Sequence, residues 1–170
     1  MTTYLVLTAI GEDKPGLVES LARIISDNSG NWLESSMSQL AGKFAGILRV
    51  SVNDNNADKL IHALENISDQ LKLVIERAEA DGDIELQQAV KLNLIGNDRP
   101  GIIREISHVL TSLSINVEQL STECAPAPMS NDVLFKAKAN LRVPVDLEPE
   151  MLQRRIEQIA DDLMVEIQIS

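Results

Sequence analysis

Along this chain, short runs with dense Leu, Val and Ile alternate with longer stretches whose apolar positions fall at helical spacing. Thr3 to Ile10 and Ala89 to Ile95 are runs of the first kind, each closed by a glycine, and they predict strands. After a Pro-Gly pair, Leu17, Val18, Leu21, Ile24 and Ile25 occupy one face of a helix, with Gly30 as its expected stop. Ile102, Ile103, Ile106, Val109, Leu110 and Leu113 repeat that face further on. Each helix leads into a strand pair. The first spans about 31–39 and 44–52 and turns at Gly42. The second spans about 116–123 and 133–143 and turns through the stiffer stretch Ala125 to Asp132, which holds Pro126 and Pro128. Second helices are expected on Leu60, Ile61, Leu64 and Ile67, and on Leu152, Ile156, Ile159 and Leu163. Strands over 72–77 and 164–169 close the two sets. The order βαββαβ, given twice, predicts an α+β protein of two tandem ferredoxin-like units, each an antiparallel sheet with its helices on one face.

The two sets are copies of each other. LTAIGEDKPGL, from Leu7, aligns with LNLIGNDRPGI, from Leu92, at an offset of 85 residues, which pairs Ile10 with Ile95, Gly11 with Gly96, Asp13 with Asp98 and Gly16 with Gly101. The same offset pairs Leu21 with Ile106, Ile24 with Val109, and Asn31 with Asn116. So long a period fits a duplicated domain and not a solenoid repeat. The expected domains are 1–80 and 89–170, joined by a polar linker over 81–88 that contains Asp81-Gly82-Asp83.

Composition narrows the function. With 44% hydrophobic residues and only 2% aromatic, the cores must be built from Leu, Ile, Val and Ala. A net charge of −11 without any Lys/Arg cluster argues against direct nucleic-acid binding, which needs basic side chains to replace counterions. Cys124 is the single cysteine, so no internal disulfide or multi-cysteine metal site can form, and a reduced thiol is expected. The first residues lack a basic signal-peptide region, and no apolar run approaches the ~20 residues of a membrane span. A cytoplasmic protein without a membrane partner is expected.

The candidate chemistry lies in the duplicated loop Gly-x-Asp-x-Pro-Gly. Pro suits a first helical turn, and Gly16 and Gly101 allow close approach of backbone or ligand. The free N–H groups of that turn, with the helix dipole, favour a carboxylate. Asp13 and Asp98 can accept hydrogen bonds from an ammonium group. Asn31 and Asn116 follow 18 residues after each Asp and are expected near the end of the preceding strand, beside the loop. Gly11, Asp13, Gly16 and Asn31, with Gly96, Asp98, Gly101 and Asn116, are therefore the candidate ligand-binding residues for a small zwitterion. The bland alternative is that Asp only caps the helix and Pro-Gly only sets the turn.

Other chemistry is thin. His62 and His108 read as surface or helix-packing side chains, and Ser36 and Ser121 lack a nucleophile-elbow context. Asp161-Asp162 and Asp81-Gly82-Asp83 lack the ligand series of a calcium loop. No catalytic group, metal or cofactor is expected. The 125–132 hairpin breaks the repeat's symmetry and reads as an extended hairpin or a partner contact.

The Asp-x-Pro-Gly loop, the aliphatic helix and the following Asn resemble the ACT domain, once in each half. In ACT domains of amino-acid-regulated enzymes the ligand sits between paired domains, held by this loop and that Asn. The resemblance thus implicates Asp13 with Asn31 and Asp98 with Asn116. Trp32 is bulkier than the matching Val117, which leaves room for the two sites to differ. A free-standing pair of such domains is similar to the glycine cleavage system transcriptional repressor family. That similarity implies a glycine-responsive, non-catalytic repressor of glycine cleavage genes that contacts a LysR-type activator, with self-association also open to it. The alternative is a ligand-independent protein-interaction module on the same fold.

Overall fold

The computed structural model describes residues 1–67, 69–79 and 86–169. The chain divides into two compact units, Met1–Gly82 and Asp83–Ser170. Unit 1 runs β1 (Thr2–Glu12), α1 (Leu17–Asp27), β2 (Asn31–Leu40), β3 (Lys43–Asn53), α2 (Asp54–Glu65) and β4 (Lys72–Ala78). Unit 2 runs β5 (Gln87–Asn97), α3 (Ile102–Ser112), β6 (Asn116–Pro126), β7 (Val133–Pro144), α4 (Pro149–Glu157) and β8 (Met164–Ile169). The sheets are antiparallel between neighbours, ordered β2-β3-β1-β4 and β6-β7-β5-β8. The expected two ferredoxin-like units are what the chain forms.

Alternation in the strands explains the layering. Leu5, Leu7 and Ala9 of β1 and Leu48, Val50 and Val52 of β3 are buried. All but Ala9 join one core cluster with Leu21 and Ile25 of α1 and Ala57, Leu60 and Leu64 of α2. Unit 2 repeats this with Leu92 and Leu94, Leu141 and Val143, Ile106 and Leu110, and Leu152 and Ile156. No polar or charged residue is buried among the described residues.

Four local expectations need correction. First, β1 and β5 do not stop at their glycines: Gly11 pairs with Phe44 and Gly96 with Phe135 inside the ladders. Second, α1 is ended by Ser29, at φ 62°, and not by a left-handed Gly30. Gly30 is small for packing, since a Cβ there would lie 2.9 Å from Ile25 Cγ2 and 3.0 Å from Leu60 Cδ2. Third, Ala125 and Pro126 belong to β6, paired with Leu134 and Val133. Proline is tolerated there because β6 is an edge strand with one side free of ladder bonds. Fourth, β5 begins at Gln87, inside the stretch expected as linker, while Asp81-Gly82-Asp83 lies outside the described residues.

Candidate functional site

Each candidate loop is a pinned strand-to-helix turn. The Asp13 N–H donates to the Gly42 carbonyl at 3.0 Å, and the Asp98 N–H to the Val133 carbonyl at 2.8 Å, so both loops are tied to the β2–β3 or β6–β7 hairpin. Gly16 and Gly101 stand at the helix N-caps with φ 89° and 86°, a left-handed conformation costly for any residue with a Cβ. A Cβ at either position would have nothing within 4 Å. Space outside the turn is therefore open, and backbone conformation alone is enough to require glycine.

The capping alternative fails in both units. The N-caps of α1 and α3 are glycines, which bring no side chain, and among the described residues no first-turn N–H donates to Asp13 or Asp98. In unit 2 the Ile102 N–H donates instead to the Arg99 carbonyl at 3.4 Å; both turns lie at the positive end of a helix dipole, and both carboxylates are exposed. In unit 1 a shallow depression brings together Asp13, Lys14, Gly16, Leu17 and Phe44.

Gly11 and Gly96 have a different task. A Cβ on Gly11 would lie 2.6 Å from the Gln70 carbonyl oxygen, and one on Gly96 would lie 2.5 Å from Leu163 Cδ2. These glycines let the segment before β4 or β8 pack onto the central strand. They face packed protein where Gly16 and Gly101 face open space.

Asn31 and Asn116 are not beside the loops of their own units. Asn31 pairs with Ser51, which pairs with Tyr4 near the start of β1, whereas Asp13 follows the end of β1. Asn116 pairs with Arg142, which pairs with Ala89 near the start of β5. Eight residues at ~3.3 Å each put about 26 Å between the ends. The reason is topological: α1 and α3 each carry the chain back to the end where the first strand began, so β1 and β2 run parallel on either side of β3. No small ligand can touch both residues of one unit.

Three residues near the loops stand outside the set expected to bind ligand. The position between Asp and Pro is basic in both copies, Lys14 and Arg99, a signal readable from the alignment itself. Arg99 forms a two-pronged pair with Glu105, in which Nη1 lies 3.2 Å from Oε1 and Nη2 donates to Oε2. That contact lowers the Glu105 carboxyl below its ordinary value and raises the Arg99 guanidinium above its own. Cys124 is the third residue. Partial desolvation, and then the charge and hydrogen bonding of Asp98, push its thiol up. It stands 85 residues after Gln39, so this thiol at the Asp98 loop has no counterpart in unit 1. His62 is exposed and within 4.0 Å of Glu65, as a surface histidine should be. Among the described residues no His/Cys/Asp/Glu group is arranged to hold a metal, and no helix is long and apolar enough to cross a membrane.

Two duplicated ferredoxin-like units, each with a glycine-opened strand-to-helix loop that lacks a side-chain cap, make an ACT-type architecture. Residues 3–77 match the ACT-domain family model. Over 163 residues the chain is 23% identical to the glycine cleavage system transcriptional repressor of Escherichia coli (strain K12), covering 94% of this chain and 85% of that protein. A protein of unknown function from Galdieria sulphuraria has a crystal structure that superposes with a TM-score of 0.87 at 26% identity, over 100% of this chain and 99% of that one. A structure described as a candidate glycine cleavage system transcriptional repressor superposes with a TM-score of 0.72 at 18% identity, over 100% and 98%. Residues 3–77 carry the ACT-domain match, and the second unit repeats the same fold. The chain resembles, distantly and over its full length, the glycine cleavage system transcriptional repressor.

Proposed function

We propose that the chain is a non-catalytic regulatory protein that senses a small amino acid, glycine first among them, through its duplicated loops. In this reading it represses glycine cleavage genes by contacting a transcriptional activator of the LysR type. The observation that carries the sensing role is the recurrence, in both units, of a helix N-terminus without a side-chain cap beside an exposed Asp and an open glycine. The N–H groups suit a carboxylate and the Asp an ammonium group, which together describe an α-amino acid. Asn31 and Asn116 would share such a ligand only across an interface, the placement that the ACT resemblance implies. The net charge of −11 favours action through a protein partner over direct DNA contact.

Size bounds the affinity. Five heavy atoms at a ceiling of about 1.5 kcal/mol each give roughly 7.5 kcal/mol, or micromolar binding at best. That suits a metabolite sensor. Thermal-shift screening of the full chain against the twenty amino acids tests the reading, since a ligand that prefers the folded state raises the midpoint by mass action. Glycine or another small amino acid should raise it, and Asp13→Ala with Asp98→Ala should abolish the rise. A flat response to all twenty would leave the alternative of a ligand-independent interaction module, which the purely conformational need for glycine at 16 and 101 favours.

A further inference from the structure

The cation in the loop meets a different fate in each unit. In unit 2, Arg99 is engaged by both oxygens of Glu105, which sits in the opening turns of α3. Asp162 adds to this: its Oδ2 accepts the Asn97 N–H at 2.6 Å, and its charge further stabilises the Arg99 guanidinium. In unit 1 the residue 85 positions before Glu105 is Ser20, which carries no charge, and no ion pair to Lys14 occurs among the described residues. The same loop therefore presents an ion-paired cation in one unit and, in the other, a cation without an ion pair that acts on Glu12 only through its charge. Both Arg99 and Glu105 are partly exposed, at 37% and 47%, so the pair is of the weak, exchangeable kind.

We propose that Glu105 is an internal competitor for the unit 2 site: its carboxylate holds the Arg99 guanidinium that the ligand's own carboxylate would otherwise take. This rests on the loop being the amino-acid site. A ligand carboxylate reaching the α3 N-terminus must displace Glu105 from Arg99, whereas one reaching the α1 N-terminus meets Lys14 directly. Unit 1 then fills at lower ligand concentration than unit 2, and the protein reads two concentration ranges with one duplicated motif. A planar two-pronged guanidinium contact suits a carboxylate, so the competitor mimics the ligand in chemistry as well as charge. Exposed pairs of this kind change equilibria by about two- to five-fold, which sets the expected size of the effect.

The test is an amide NMR titration of the full chain, following Val18 and Glu19 in unit 1 and Ile103 and Arg104 in unit 2 separately. Two probes are used: glycine, and acetate as a carboxylate without an ammonium group. Glu105→Gln keeps the side chain's size and removes its charge, and Glu105→Ala removes the side chain's reach as well. Both should lower the half-saturation of the unit 2 amides for either probe by about two- to five-fold and leave unit 1 unchanged. Arg99→Gln should weaken the unit 2 response with or without Glu105. If glycine saturates unit 2 at the same concentration in both Glu105 variants as in the unaltered chain, the competitor role is overturned while sensing stands. If acetate shows the gain but no amino acid binds either unit, amino-acid sensing fails and the competition at Arg99 holds. Silence from both probes in both Glu105 variants overturns the proposal.

Discussion

Replacing Gly11 by alanine would set a methyl 2.6 Å from the Gln70 carbonyl oxygen, a backbone atom that cannot step aside. At Gly96 the obstacle is the end of the Leu163 side chain, which can rotate. Gly11→Ala should therefore destabilise by about 1–3 kcal/mol, as overpacking does, and Gly96→Ala by less. Urea unfolding of the two variants checks the order, and equal costs would contradict the packing account. Gly16→Ala and Gly101→Ala meet no atoms and should each cost about 1–2 kcal/mol through the left-handed backbone alone. The loop motif showed where glycine stands but not why. The atoms that demand it at 11 and 96 come from Gln70 and Leu163, far later in the chain. Glu105 carries a prediction at the same scale. Its carboxyl is lowered from an ordinary value of about 4.5, so its contribution to stability is present above that pH and lost as pH falls through the depressed folded value. The thermal midpoint should thus drop less steeply below about pH 4.5 in Glu105→Gln than in the unaltered chain.

Among the elements, the hairpins carry the asymmetry. The 85-residue offset holds from β1 and β5 to Gln39 and Cys124. It becomes 91 at Phe44 and Phe135, because the tight Ala41-Gly42 turn is replaced by the longer 127–132 loop. Ala41 and Gly42 both have positive φ, at 49° and 78°, as a two-residue turn of the first primed type requires. Ala41→Asn should therefore stabilise unit 1 by roughly 0.5 kcal/mol or more, read as a raised midpoint in denaturant, since Asn tolerates the left-handed region better than Ala. Strand and helix order was readable because alternation and helical spacing are local and recur in both copies. The end of the sheet that receives Asn31 was not. It depends on α1 returning the chain to the start of β1, a matter of connection that no residue pattern displays.

For the molecule as a whole, duplication is both the plainest feature of the sequence and the source of the functional reading. Each unit has its own core, and Leu60 and Leu152, fully buried at matching places in α2 and α4, should each cost about 2–5 kcal/mol when cut to alanine. Duplicated loops on two such cores can be tuned apart without disturbing the fold, as Ser20 against Glu105 and Gln39 against Cys124 illustrate. The central claim is that these loops hold a small amino acid, and isothermal titration of glycine into the full chain tests it most directly. The account predicts heat with micromolar or weaker affinity, abolished when Asp13 and Asp98 are both changed to alanine. Absence of heat from glycine and every other small amino acid, or binding that survives the double change, would contradict it.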